Sequence, residues 1–136
     1  MADTNTFKLQ IISPDRIFFD EDVEMAELRT TEGNIGILKG HIPLTAVTVP
    51  GVLVIHQNGT TKEAAVHDGF FEILHDKVTL LAEACEWPEE IDVNRAKEAK
   101  IRAERRLSGE DGEINIHRAE IALRKALIRL EVAGKH

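Results

Sequence analysis

Several residue types that would support common chemistries are scarce in this chain. One cysteine, Cys85, stands among 136 residues, which excludes an intramolecular disulfide and any cluster of metal-binding thiolates. Serine occurs only at Ser13 and Ser108, both in turn contexts, so a serine nucleophile beside a base has no support. Cations are outnumbered. Lys and Arg total 17 against 24 Asp and Glu, a formal charge of −7. A chain of that sign is poorly suited to sequence-independent binding of nucleic acid or anionic membrane. Residues 40–61 lack charged side chains and approach the length of a spanning helix. They contain Pro43, Pro50, Gly51 and Gly59 and many β-branched residues, which belong to strands and turns. The start shows no basic-then-apolar leader, so neither export nor organelle import is expected.

At 43% hydrophobic and 30% charged, the composition is that of ordinary globular material. Residues 1–88 hold six basic and fourteen acidic residues, a net of −8, whereas residues 89–136 hold eleven and ten, a net of +1. Apolar residues come in short punctuated runs before Pro88 and at helical spacing after it. Two domains are expected, 1–88 and 89–136, meeting near Trp87-Pro88.

The first half reads as an antiparallel β-sandwich. Phe7 to Ile11 alternates apolar and polar, and Ser13-Pro14-Asp15 turns the chain. Another alternating run begins at Val23-Glu24-Met25, and Thr31-Glu32-Gly33-Asn34 is a turn before a strand over 35–38. Asn58-Gly59 predicts a hairpin between strands over 51–57 and 60–66, and His75-Asp76 another between 70–74 and 77–84. The second half reads as an antiparallel helical hairpin, giving an α+β chain. Asp92 should cap a helix over 93–107, stopped by Ser108-Gly109-Glu110-Asp111-Gly112. Asn115 should cap a second over 116–132, with Gly134 at C′. The first helix offers Ala96, Ala99, Ala103 and Leu107 to a partner. The second offers Ile116, Ala119, Leu123, Ala126, Leu127 and Leu130, with a weaker stripe of Ile121, Ile128 and Val132. Alanine contacts bury little area, so the hairpin should be weakly held.

Catalytic groups are hard to find. Cys85 reads as an inert thiol, and His56 and His67 lie on different strands without ligand-spaced carboxylates or cysteines. Gly33-Asn34-Ile35-Gly36 is no phosphate loop, since no Gly-Lys-Ser/Thr follows. Two stretches remain. The run from Gly33 to Leu44, with Gly36, Gly40 and Pro43, is either a tight corner of the sandwich or a rigid loop shown to a partner. Ile91-Asp92-Val93-Asn94-Arg95-Ala96 opens a helix that carries Arg95 and Arg102 on one side, while Arg118, Lys125 and Arg129 share one side of the next. These are either solvated basic faces or a cluster that grips a phosphate or an acidic partner.

On these residues the chain resembles the epsilon subunits of bacterial F-type ATP synthases over nearly its whole length. The resemblance rests on Ser13-Pro14-Asp15 with Val23-Glu24, on the run from Gly36 to Leu44, on Gly69-Phe70-Phe71-Glu72-Ile73 with Val78-Thr79-Leu80-Leu81-Ala82, and on Arg95-Ala96 with Arg102 to Leu107. Lys39 stands where relatives often have Pro. The family implies a sandwich and a helical hairpin in a non-catalytic rotor subunit. Its partners would be the gamma subunit, the c-subunit ring through Lys39, Gly40, His41, Ile42 and Pro43, and the alpha/beta catalytic head when the hairpin extends to restrain ATP hydrolysis. The place implied is the cytoplasmic face of a bacterial plasma membrane, held peripherally through the complex of a proton-translocating synthase. No cofactor is required. ATP is implied as a regulatory ligand, because Ile91-Asp92-Val93-Asn94-Arg95-Ala96 matches the family's nucleotide motif. The resemblance adds Glu86, Arg102 and Arg129 to that site, and Lys125 where an ATP-binding relative has Arg. A free-standing nucleotide-sensing module and a small sandwich enzyme are the competing classes.

Overall fold

A computed structural model of the protein describes residues 5–109 and 115–134. Two compact units divide the chain, Met1–Cys85 and Glu86–His136. The first holds β1 (Phe7–Ser13), β2 (Arg16–Val23), β3 (Met25–Thr30), β4 (Gly33–Leu38), β5 (Leu44–Thr48), β6 (Gly51–Gln57), β7 (Thr60–Ile73) and β8 (Lys77–Glu86), the last ending on the boundary. The strands run β2-β1-β8-β7-β5-β3-β4, with β6 pairing both β3 and β7. β5 and β6 lie end to end in one slot: β7 pairs with β6 through residues 60–66 and with β5 through 69–73, while β3 closes the other side.

Period-two patterning builds the core. Phe7, Leu9 and Ile11 are buried while Lys8 between them is exposed, and Phe71, Ile37, Leu53, Ile55, Ile73 and Leu80 are fully enclosed. Each such side chain contributes about 1.5–3 kcal/mol by leaving water. Two expectations need correction. Val23-Glu24-Met25 does not begin a strand; Val23 ends β2, Glu24 separates, and Met25 starts β3. Asp20-Glu21-Asp22 conceals β2, an edge strand that tolerates acidic residues because one side faces solvent. Strands over 60–66 and 70–74 are in fact the single 14-residue β7. It changes partner at His67-Asp68, where Asp68 takes φ 33°. Gly69 follows because any Cβ there would lie 2.1 Å from the carbonyl oxygen of Leu81.

The second unit opens with a 3-10 turn, Pro88–Glu90, then α1 (Val93–Leu107) and α2 (Ile116–Ala133). Asp92 Oδ1 accepts from the Arg95 N–H at 3.0 Å and Asn115 Oδ1 from the Arg118 N–H at 3.0 Å, so both helices are capped. After Ser108, Gly109 at φ 82° ends α1; Glu110, Asp111 and Gly112 of the expected stop lie outside the described residues. Gly134 is the C-cap itself at φ −69°, not a left-handed C′. Between the helices Ala96, Ala103, Ala119 and Ala126 are buried. Both expected α2 stripes contribute buried residues, Ala119 and Ala126 from the first and Val132 from the second at 0% exposed, whereas Ile116 and Leu127 of the first are 60% and 45% exposed.

Candidate functional site

In the second unit, the junction and the two helices enclose an open cleft of about 390 Å3, large enough for a small-molecule ligand. Arg95, Ala99 and Arg102 line it from α1 at helical spacing, with Ala99 leaving the floor between the two guanidinium groups open. Asp92 lines it from the cap position, with one oxygen already bound to the Arg95 N–H. Arg129 reaches in from α2, and its Nε donates to Glu86 Oε1 at 2.6 Å, both side chains being about one-third or less exposed. That bond fixes the guanidinium plane and leaves its Nη end as a further donor. Glu90 completes the acidic lining; its Oε1 accepts from the Trp87 N–H at 2.8 Å, and its own N–H donates to the Trp87 carbonyl at 3.0 Å across the 3-10 turn.

Of the expected nucleotide residues, Glu86, Asp92, Arg95, Ala96, Arg102 and Arg129 thus meet at one cleft. Ile91 is not part of the lining. It is buried and anchors the segment from the apolar side. Lys125 lies one turn before Arg129 on α2 and is also outside the lining. Glu90 and Ala99 were not anticipated. Nothing in the sequence marks Glu90, whereas Ala99 follows from the helical period between Arg95 and Arg102.

The corner of the first unit is a turn closed by the His41 N–H donating to the Leu38 carbonyl at 3.1 Å, with Gly40 at φ 81°. That is the type II position where glycine is needed, and Lys39 occupies the preceding place that often takes proline. His41 Nδ1 lies 2.8 Å from the Ile42 carbonyl oxygen. Lys39, Gly40, Ile42 and Pro43 are exposed, with Ile42 at 73% and Leu38 beside them at 57%. A second apolar surface was missed in the sequence. Val47 and Phe70 are register partners on β5 and β7, exposed at 55% and 45%, and Leu81 on neighbouring β8 is exposed too. The adjacent Phe70-Phe71 pair signals it, since alternation must put one ring inside and one outside. Among the described residues no group of three His, Cys, Asp or Glu could hold a metal ion. No helix among them is long and apolar enough to cross a membrane.

Comparison with known proteins joins these features. Residues 6–88 match the family model described as the beta-sandwich domain of the ATP synthase delta/epsilon chain, and residues 89–134 the one described as its long alpha-helix domain. The chain belongs to the ATP synthase delta/epsilon chain family. Among its relatives is the ATP synthase epsilon chain of Caldanaerobacter subterraneus subsp. tengcongensis, 47% identical over 96% of each chain. Another, from Bacillus velezensis, bears the same name and is 46% identical over 95% of this chain and 98% of its own. The fold is similar to a chain in the Euglena gracilis mitochondrial ATP synthase structure containing OSCP, F1 and c-ring. The TM-score is 0.79 at 24% identity, over 96% of this chain and 82% of that one.

Proposed function

We propose that the chain serves as a non-catalytic rotor subunit of a proton-translocating F-type ATP synthase, and that its helical hairpin restrains ATP hydrolysis in response to ATP. In this reading residues 1–88 bind the gamma subunit and the c-subunit ring, and residues 89–136 are the regulatory domain. The corner Lys39-Gly40-His41-Ile42-Pro43 meets the ring, and the Val47, Phe70 and Leu81 surface takes gamma; both are exposed apolar patches of the kind that partners cover. The chain lies at the cytoplasmic face of a bacterial plasma membrane, attached through the complex.

The observation that carries the regulatory part is the gathering of Arg95, Arg102 and Arg129 with Asp92 and Glu86 at one cleft. Guanidinium forks neutralise phosphates, and the carboxylates accept from an adenine amino group or a ribose hydroxyl. ATP there would touch both helices and favour the folded hairpin by linkage, relieving inhibition when ATP is plentiful. In the extended form Arg105, Arg106, Arg118, Lys125 and Arg129 would face acidic surface on the alpha/beta head.

Two measurements test this. Complexes reconstituted with residues 1–88 should hydrolyse ATP faster than those with the full chain, and equal rates at several salt concentrations would remove the inhibitory role. Calorimetric titration with ATP should show binding that Arg95→Ala abolishes. An absence of heat at millimolar ATP would end the nucleotide reading.

A further inference from the structure

Ala99 holds a particular place on α1. Arg95 and Arg102 fall within about 20° of each other around the helix and roughly 10 Å apart along its axis. Ala96 and Ala103 form a second row about 100° round from the arginines, and both are buried. Ala99 lies between the two rows, about 40° from Arg95. It is half-buried and lines the cleft. Arg129 enters the same cleft from α2, its Nε held on Glu86 Oε1 at 2.6 Å. All three arginines therefore line a cleft whose floor, at position 99, carries nothing larger than a methyl group.

That small floor has a chemical consequence. A helical side chain leans over the turn N-terminal to its own Cα. Any residue longer than alanine at 99 would thus cover the surface over Arg95 and Ala96, between the two arginine-bearing turns. A single phosphate can be held by one guanidinium fork. A chain of phosphates gains from several forks only where it can lie across the surface between them.

We propose that Ala99 is a specificity-determining residue of this site: its bare methyl group keeps open the path from Arg95 to Arg102, so that one polyphosphate chain can engage both. The proposal rests on the nucleotide reading above. It assigns preference for ATP over AMP to the shape of the floor as well as to the charge of the walls.

The test changes size without changing charge. Ala99→Leu fills the path, and leucine is a strong helix former. Ala99→Ser stays small. The full-length protein and both variants are titrated calorimetrically with ATP and with AMP, and circular dichroism checks that each variant retains its helices. Ala99→Leu should weaken ATP about tenfold or more and AMP no more than about twofold, because only ATP loses a second charge-assisted contact. Ala99→Ser should keep both affinities within about twofold of the parent, since both forks stay within reach. Should Ala99→Leu lose its helices, Ala99→Met, unbranched and also a strong helix former, takes its place under the same criterion. Unchanged ATP affinity in the enlarged variant, or equal loss for ATP and AMP with the helices intact, overturns the proposal while the nucleotide reading stands. The same loss of ATP in Ala99→Ser would show that size is not what matters, and overturns it too. Failure of the parent protein to bind either nucleotide at millimolar concentration overturns both.

Discussion

The two units are held together in different ways. In the sandwich, large side chains such as Phe71, Ile37 and Leu53 are fully enclosed, and each removes much apolar area from water. Between the helices the buried residues are mainly alanines, with Val132 the large exception. A core of large residues leaves costly voids when its parts separate, so it behaves as one piece. A core of alanines loses little on separation, because little area was buried. The first unit is held by large enclosed side chains and the second mainly by small ones.

That contrast can be broken at several points. Phe71→Ala should have the largest effect, about 3–5 kcal/mol off the stability of the sandwich, read from chemical denaturation. Amide exchange in α1 and α2 should not change; faster exchange there would mean the units do not respond separately. Gly69→Ala should come next at about 1–3 kcal/mol from overpacking, because its methyl would fall 2.1 Å from the Leu81 carbonyl oxygen. A third change sharpens the hairpin side. Asp92→Ala removes the acceptor for the Arg95 N–H and should cost about 1 kcal/mol, seen as faster exchange in the first turn of α1, while Asp92→Asn should keep most of the cap.

The smallest effect concerns Lys8. Its amine lies 3.0 Å from Asp20 across the β1–β2 pair, and the hydrogen bond and charge of Asp20, with Asp22 and Glu21, raise its pKa. A raised pKa stabilises the fold below the ordinary lysine value, about 10.4, and the contribution disappears as pH climbs through the folded value. Stability measured against Lys8→Met should therefore differ by a small constant through neutral pH and converge in strong alkali. A gap that persists there would mean the side-chain stem, not the charge, is what matters.

Much of this fold is legible in the residues. Asn58-Gly59 adopts φ values of 54° and 77° that only such a pair takes readily, and it fixes the β6–β7 register. Asp92 and Asn115 announce the helix starts for an equally local reason. What is not legible depends on distant chain. Nothing near Val66 says that β7 continues, because the requirement at Gly69 comes from Leu81 on another strand. The cleft divides likewise: Arg95 and Arg102 can be grouped from one helix's period, whereas Arg129 joins them only through packing and Glu86. Lys125 shows the converse. It shares a helix face with Arg129 in the sequence, and yet it stands one turn outside the cleft lining.

β7 also has a mechanical meaning. An extended strand rises about 3.3 Å per residue, close to the most that a peptide chain can span, so it has almost no slack to take up under tension. The 14 residues of β7 are laced along one edge first to β6 and then to β5. A pull applied at the corner between β4 and β5 passes through the Leu44–Thr48 ladder into residues 69–73, and then through covalent bonds to residues 60–66. A load parallel to the strands meets each ladder in shear instead of one hydrogen bond at a time, and the place where that line departs from the extended form is Asp68, at φ 33°.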